Sequence, residues 1–334
     1  MNLDVPAARI LAAAIGPVAE AVAGPIPGAV LGVVTRTGDR AVQAFGHAQT
    51  EPFCVKMQRE TWFDLASLTK VLFTTPSILD LVAQGRIGLD SRLTEAIPDL
   101  RQYDADAPER RLTFRQCLAH QTHLPAVEPL YTYGQDPATL RAFILQRVWR
   151  EGPSVYSDIN FILLGIAIER LTGRPLLEQT LWPGLSFRPD PEQTAATERC
   201  TWRGRVMRGE VHDENAFALG GAAGHAGLFG TADGVLDAAE AMLLAPDLCG
   251  IRARQSATRT LGWEGRHAGW SGGDACSDDT IGHTGFTGTG LWIDFARGLA
   301  WTLLTNRVHP TRHRDTGIAG LRRRVGELIV EAAQ

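Results

Sequence analysis

The chain has 334 residues, 44% of them hydrophobic and 21% charged, and a net charge of -4. That length allows two domains or one large domain with an insertion, and the composition is ordinary for a soluble globular enzyme. The slight acidity and the lack of a basic block argue against a nucleic-acid partner. Arg322-Arg323-Arg324 is the nearest approach to such a block, and within its helical pattern it reads as a solvated face. The five cysteines (54, 117, 200, 249 and 276) are scattered, with no Cys-x-x-Cys spacing. Free thiols in a reducing compartment are the simplest reading.

Residues 1–24 are apolar but lack a basic opening, and Asp4, Pro17 and Glu20 interrupt them. They read as a surface helix kinked near Gly16-Pro17, not as an export signal. No run of 18 apolar residues occurs, so no membrane span is expected and the cytoplasm is the default location. Residues 27–36 and 41–47 read as two strands joined by the turn Thr37-Gly38-Asp39-Arg40. Then comes Ser67-Leu68-Thr69-Lys70. Val71, Ile78, Leu79 and Val82 follow at helical spacing, which predicts Ser67 in the first turn of a helix and Lys70 on the same face. A serine hydroxyl is a weak nucleophile until a base takes its proton. A lysine one turn away can do so if burial or a second cation leaves it partly neutral. The first-turn N–H groups would face an oxyanion. Alone, the tetrapeptide fits a helix cap and a solvated lysine equally well.

Helices are expected over 112–120, 139–149 and 158–171, the last stopping at Gly173. Residues 181–205 are irregular, and the glycines at 220, 221, 224, 227 and 230 mark a compact loop. A short helix from Thr231 to Leu244 precedes two strands, 289–295 and 299–306. A closing helix carries Ile318, Leu321, Val325, Leu328 and Ile329 on one side. This order predicts an α+β fold. Residues 1–66 and 255–334 would form an antiparallel sheet flanked by terminal helices, and 67–254 an inserted helical domain. Ser67 falls at the junction, where ligand clefts tend to lie.

Two further motifs accompany Ser-x-x-Lys. Tyr156-Ser157-Asp158 stands ahead of the 158–171 helix, and His283-Thr284-Gly285 ahead of the 289–295 strand. Together with Pro27-Gly28-Ala29-Val30, residues 118–125 and Thr305-Asn306, this set resembles the penicillin-binding-protein and serine β-lactamase family, in its class C-like branch. The resemblance runs from about residue 27 to the end. It implies the β-lactamase/transpeptidase-like fold, with Ser67 as acylated nucleophile and Lys70 sharing its proton. Tyr156 would be the phenolic base, and later the acid toward the leaving group. A phenol of pKa about 10 needs a neighbouring cation for that, and Lys70 supplies one. The backbone N–H groups of Ser67 and Phe286 would form the oxyanion hole, with Asp158, His283, Thr284 and Gly285 contacting substrate. No cofactor and no metal are implied. Outside this set Tyr156 reads as a half-buried aromatic and His283 as a turn histidine.

Two positions depart from the family pattern. Asp158 stands where most members have asparagine, and a carboxylate only accepts hydrogen bonds. It is expected to pair with Lys70, keep it protonated and shift base duty to Tyr156. His283 stands where β-lactamases have lysine, so weak β-lactamase activity is expected. A third stretch, from Val211-His212-Asp213-Glu214 to Leu228-Phe229, is similar to a subgroup associated with cell-wall recycling. That subgroup includes amidases cleaving N-acetylmuramoyl from L-alanine. His212, Asp213 and His225 either line the cleft or cap and stitch the glycine loop. The implied activity is that of a serine hydrolase forming an acyl-enzyme on a small amide or ester, of the muropeptide type. Its partner would be a small-molecule or peptide substrate, with no nucleic acid or membrane. A carboxylesterase, a D-amino-acid peptidase, an acyltransferase and a non-catalytic sensor or scaffold are the other readings.

Overall fold

The computed structural model describes residues 5–150, 152–245 and 250–334, so Cys249 and the first four residues lie outside the described residues. In chain order, α1 (Ala7–Ala23) leads to strands β1 (Gly28–Thr35), β2 (Arg40–Gln49), β3 (Val55–Lys56) and β4 (Phe63–Asp64). The middle holds α2 (Thr75–Ala83), α3 (Phe114–Leu118), α4 (Pro137–Gln146), α5 (Asp158–Thr172), β5 (Leu185–Ser186), β6 (Arg199–Cys200) and β7 (Arg205–Val206). It continues with α6 (Glu214–Ala218), β8 (Phe229–Gly230) and α7 (Ala232–Leu244). The chain closes with β9 (Glu264–Gly265), β10 (Ile281–Thr284), β11 (Gly290–Asp294), β12 (Leu299–Thr305) and α8 (Ile318–Ala332).

The main sheet is antiparallel, in the order β3-β2-β1-β12-β11-β10-β9. The first hairpin meets the last one at its centre, where Ala29 faces Thr305 and Thr35 faces Leu299. β1, β11 and β12 are buried along their whole length, because helices cover both faces. Alternation along β1 sends Ala29, Leu31 and Val33 toward α1 and α8, in one core with Trp292 and Trp301. Val30 and Val34 point the other way, into a core shared with α7 and the helical middle. α1 runs unbroken through Pro17 and buries Ala7, Ile10, Leu11, Ala14 and Val18. It is a surface helix without the expected kink, with Ala8, Arg9, Ala12, Ala13, Gly16, Ala19 and Glu20 exposed.

Three expectations are corrected. Ser67 does not open a regular α-helix. A tight 3-10 turn, Ala66–Leu68, is followed by a wide π-helical turn, Lys70–Thr74, and only then by α2. Pro76 has no N–H for the carbonyl four residues back, so a continuous α-helix through this point would lose a bond. The second correction is β10, which pairs with β11 from Ile281↔Ile293 to Thr284↔Gly290. His283 and Thr284 therefore end a strand of their own, absent from the expected elements, and still precede β11 as expected. The third is Arg322, which is only 8% exposed beneath the sheet edge and is no part of a solvated face. By length and composition Ala66–Ala83 could cross a membrane, yet it is 67% buried inside the protein.

Helix ends follow local rules. Thr113 and Gln116 form a capping box on α3, and Gly173, with φ 70°, closes α5. Asp136 caps α4, which stops at Gln146, short of the expected Trp149. α5 is buried from Ile159 to Ile168 and threads the helical region. The glycine loop lies directly on it, since a Cβ at Gly224 would sit 1.9 Å from the Phe161 carbonyl oxygen and 2.9 Å from Gly165 N. Both obstacles are backbone, so Gly224→Ala is expected to lower stability by about 1–3 kcal/mol through overpacking. It should also reduce activity, because the next carbonyl, His225 O, holds Lys70. Thermal melts beside initial rates check both losses, and an unchanged Tm would show that the loop is free to move away.

Candidate active site

Lys70 has no solvent exposure. Its ammonium donates to Ser67 Oγ at 2.8 Å and to His225 O at 3.1 Å, and lies 2.9 Å from Asp158 Oδ1. Three oxygens thus stand within reach of three N–H groups. Burial pulls the Lys70 pKa down, but Asp158 and the Tyr156 hydroxyl more than offset it, and the net shift is upward. A charged Lys70 donating to Ser67 Oγ cannot also take the serine's proton. The carboxylate at 158 has the effect anticipated for it on charge.

Tyr156 and Asp158 are placed by the start of α5 and by the loop before it. Asp158 N donates to Ala126 O at 3.0 Å, Ser157 Oγ to Pro125 O at 2.6 Å, and Ser157 N to His120 Nδ1 at 3.0 Å. The Tyr156 ring is surrounded. Lys70 Nζ lies 5.0 Å from its centroid and the Arg259 guanidinium 5.1 Å, with the His120 ring at 4.4 Å and the His283 ring at 5.9 Å. Both histidines are held well below their ordinary pKa, by burial first and then by Lys70 and Arg259. Their neutral tautomers differ. His120 Nδ1 accepts from Ser157 N–H, so its Nε2 carries the proton. His283 Nδ1 donates to Thr284 O at 3.0 Å, so its Nε2 is a bare acceptor. Neither Nε2 has a partner among the described residues.

Backbone donors face Ser67 from two sides. Ser67 lies in the Ala66–Leu68 turn, whose opening N–H groups have no intrahelical acceptor. Ala66 holds φ 47°, an uncommon conformation for alanine, and its N–H is fixed by Asp64 Oδ1 at 2.8 Å. Opposite stands Phe286, whose N–H has no acceptor among the described residues. The two sides are sewn together, since Thr287 Oγ1 donates to Asp64 O at 2.7 Å and Thr289 Oγ1 to Leu65 O at 3.0 Å. Gly285 must lack a side chain here, because a Cβ would meet Thr289 Oγ1 at 2.1 Å and Leu65 O at 2.6 Å.

Two cavities meet at Ser67, Asp158 and Phe286. One, of about 370 Å³, continues along Tyr156, His283, Thr284, Arg259 and Glu264. The other, of about 330 Å³, runs past Tyr131, Asn215, Asp213, His212, Glu214 and Arg312. His212 and Asp213 thus line the second cavity, and Asp213 also caps α6. His225 is buried and its Nε2–H donates to Asp213 Oδ1 at 2.9 Å, stitching the glycine loop. Burial would raise the Asp213 pKa, but His225 and the capped Ala216 N–H hold it well below the usual carboxylate range. His212 stacks on Phe286, with ring centroids 5.7 Å apart. Sequence reasoning passed over His120, Arg259, Asp64, Glu198 and Arg312. His120 falls within the quoted residues 118–125 and Asp64 three residues before Ser67, yet none of the five has a spacing that marks it.

A serine bonded to a buried lysine lies beside a tyrosine with cations on two sides, on a mixed helix and antiparallel-sheet fold. The chain belongs to the beta-lactamase family, whose model matches residues 16–323, and it is a serine hydrolase of that family. It is 31% identical to a Bacillus subtilis (strain 168) protein named "N-acetylmuramyl-L-alanine amidase", over 86% of this chain and 79% of that protein. It is 29% identical to an Escherichia coli (strain K12) protein named "Putative D-alanyl-D-alanine carboxypeptidase", over 76% of this chain and 71% of that protein. The fold matches the crystal structure of a class C β-lactamase from Rhodobacter sphaeroides with TM-score 0.73 at 18% identity, covering 96% of this chain and 99% of the other.

The wall of the second cavity should set part of the acid stability. Burial would raise the Glu198 pKa, but hydrogen bonds from His212 and Arg312 lower it from 4.5 to about 2. A depressed carboxylate contributes stability that is present above its unfolded pKa and lost as pH falls through its folded one. The loss from Glu198 therefore falls between about pH 4.5 and 2. Glu198→Gln is expected to have a lower Tm than wild type at pH 7 and a much smaller gap at pH 2. Parallel Tm–pH curves for the two proteins would refute this.

Proposed function

We propose that Ser67 is acylated by a small amide whose acyl group lies along the Tyr131–Arg312 cavity and whose leaving amine lies along the Tyr156–Arg259 cavity. The observation that carries this reading is the meeting of both cavities at a Ser67 hydroxyl already bonded to Lys70. With Lys70 held as ammonium, Tyr156 takes the serine proton as Oγ attacks the carbonyl carbon. Tyr156 enters that step as phenolate, and Lys70 and Arg259 balance the negative charge its oxygen carries until the proton arrives. The Ser67 and Phe286 N–H groups receive the oxyanion. Tyr156 returns the proton to the leaving nitrogen, the C–N bond breaks, and a water repeats the sequence on the ester. Because Tyr156 serves the leaving nitrogen, its cavity is the leaving-group side.

The substrate proposed is an N-acetylmuramoyl–L-alanine conjugate. The relative named for that bond supports it, as does an acyl-side cavity that offers polar groups (Asn215, Asp213, Glu214) beside the faces of Tyr131 and Phe286, which suits a sugar. Arg259 supports a leaving group that carries a carboxylate, since its guanidinium has no acidic partner among the described residues and faces that cavity. The same observation favours the second reading, release of a terminal amino acid from a peptide.

Ser67→Ala is expected to lose more than about a hundredfold in kcat, roughly 2.7 kcal/mol of barrier, with its melting curve unchanged. Product analysis with N-acetylmuramoyl-L-alanine and with a D-alanyl-D-alanine peptide separates the two readings. Turnover of activated esters alone would refute both. Arg259→Gln should raise KM about 10- to 100-fold for amides with a carboxylate on the leaving group, the range of a lost charge-assisted contact. Neutral p-nitrophenyl esters should change less than about twofold. Equal effects on both substrates would place Arg259 outside the leaving-group site.

A further inference from the structure

We propose that Arg322 is a positioning residue that orients and strengthens the Phe286 N–H as an oxyanion donor, acting through the Gly285 carbonyl. Arg322 projects from α8, and its Nη2 donates to Gly285 O at 2.8 Å and to Thr289 O at 2.7 Å. Those carbonyls flank the tight loop between β10 and β11, which is closed by Gly285 N donating to Thr289 O at 2.8 Å. Gly285 C=O and Phe286 N–H belong to one planar peptide. A guanidinium on the oxygen end fixes the tilt of that plane. It also draws electron density from the N–H end, which makes the N–H a stronger donor. The next peptide is fixed in the same way, because Arg307 Nε donates to Phe286 O at 2.9 Å.

The charge itself is the unusual feature. Arg322 is only 8% exposed, and among the described residues it has no carboxylate within ion-pair distance. Its Nε has no partner among them either. Burial, with Arg307 nearby, lowers its pKa to about 9, so it remains a cation at pH 7. An unpaired buried charge is costly, and a neutral donor could bridge the same two carbonyls without that cost. What a neutral donor cannot supply is positive potential beside the place where negative charge develops on the acyl oxygen.

The inference rests on the acyl-enzyme route and not on the identity of the acyl group, so p-nitrophenyl acetate is the probe. Arg322→Gln keeps an N–H donor and removes the charge, while Arg322→Lys keeps the charge. For Arg322→Gln, kcat should fall about tenfold or more, at least about 1.4 kcal/mol of barrier, with KM little changed. The infrared carbonyl band of the ¹³C-labelled acetyl-enzyme should move to higher wavenumber, since its oxygen is held more weakly. Arg322→Lys should fall between Arg322→Gln and wild type on both measures. A purely structural role would lower Tm and leave the band in place. An unmoved band in Arg322→Gln, or kcat within twofold of wild type, would overturn the proposal. If Arg322→Gln does not fold, a band in Arg322→Lys identical to wild type does the same. Ser67→Ala serves as the control, because activity surviving there would overturn the nucleophile assignment and leave Arg322 aside.

Discussion

A lysine ammonium without solvent contact is the constraint around which this site is built. An unpaired charge so placed would neutralise or unfold its surroundings. Its compensation comes from Ser67 on its own turn and from two distant parts of the chain, Asp158 at the start of α5 and the His225 carbonyl in the glycine loop. The helical region is arranged to deliver those oxygens. Gly224 lets the loop touch the backbone of α5, and Thr74 Oγ1 pins Gly224 O at 2.6 Å. Asp213 then holds both α6 and His225. The His212–His225 stretch is therefore at once a cavity wall and the scaffold of the lysine, so the two readings of it are not exclusive.

A second constraint joins the two ends of the chain. The turn with Ser67 hangs from Asp64 and Leu65, whose carbonyls accept from Thr287 and Thr289 in the loop carrying Phe286. Asp64 also takes the His212 N–H at 2.6 Å. Burial raises its pKa, and the backbone donors of His212 and Ala66 oppose that rise. The spacing between nucleophile and opposite donor thus rests on a few short polar bonds beneath the cleft floor. Arg322 and Arg307 hold the far side of the same loop from α8 and from the segment after β12.

How much was legible in the sequence follows from this geometry. Ser67 and Lys70 are neighbours in the chain, and Tyr156 and Asp158 sit at a helix start, so short motifs reveal them. The terminal hairpins carry enough β-branched residues to read as strands. β10 does not, being four residues with Gly282 inside it, a glycine that only the Trp292 ring explains, as its Cβ would lie 2.3 Å from that ring. The 3-10 and π-helical turns at Ser67 were hidden because Ala66–Leu68 and Lys70–Thr74 are too short for their own periods to show in the pattern over 71–82. Arg322 resembled its exposed neighbours Arg323 and Arg324, and only packing of α8 against the sheet separates them. Arg259, His120 and Glu198 act through contacts more than a hundred residues away or across loops, where no spacing rule applies.

Charge balance explains why position 283 carries histidine here. Lys70 and Arg259 already flank Tyr156, and both depress the His283 pKa. A lysine in this buried place would be a third cation in one field, facing repulsion as well as desolvation. Neutral His283 avoids that, and its Nδ1–H bond to Thr284 O leaves Nε2 as an acceptor beside the cavity. The cation has in effect moved from the strand to Arg259, on the segment before β9. The wall along Tyr156 therefore presents a positive charge and a lone pair, where a lysine would present charge alone. Such a wall fits a group that carries both a carboxylate and an N–H, as an amino acid or short peptide does, better than it fits a carboxylate alone. His120, with the opposite tautomer, keeps the Ser157 N–H satisfied and packs its ring 4.4 Å from that of Tyr156.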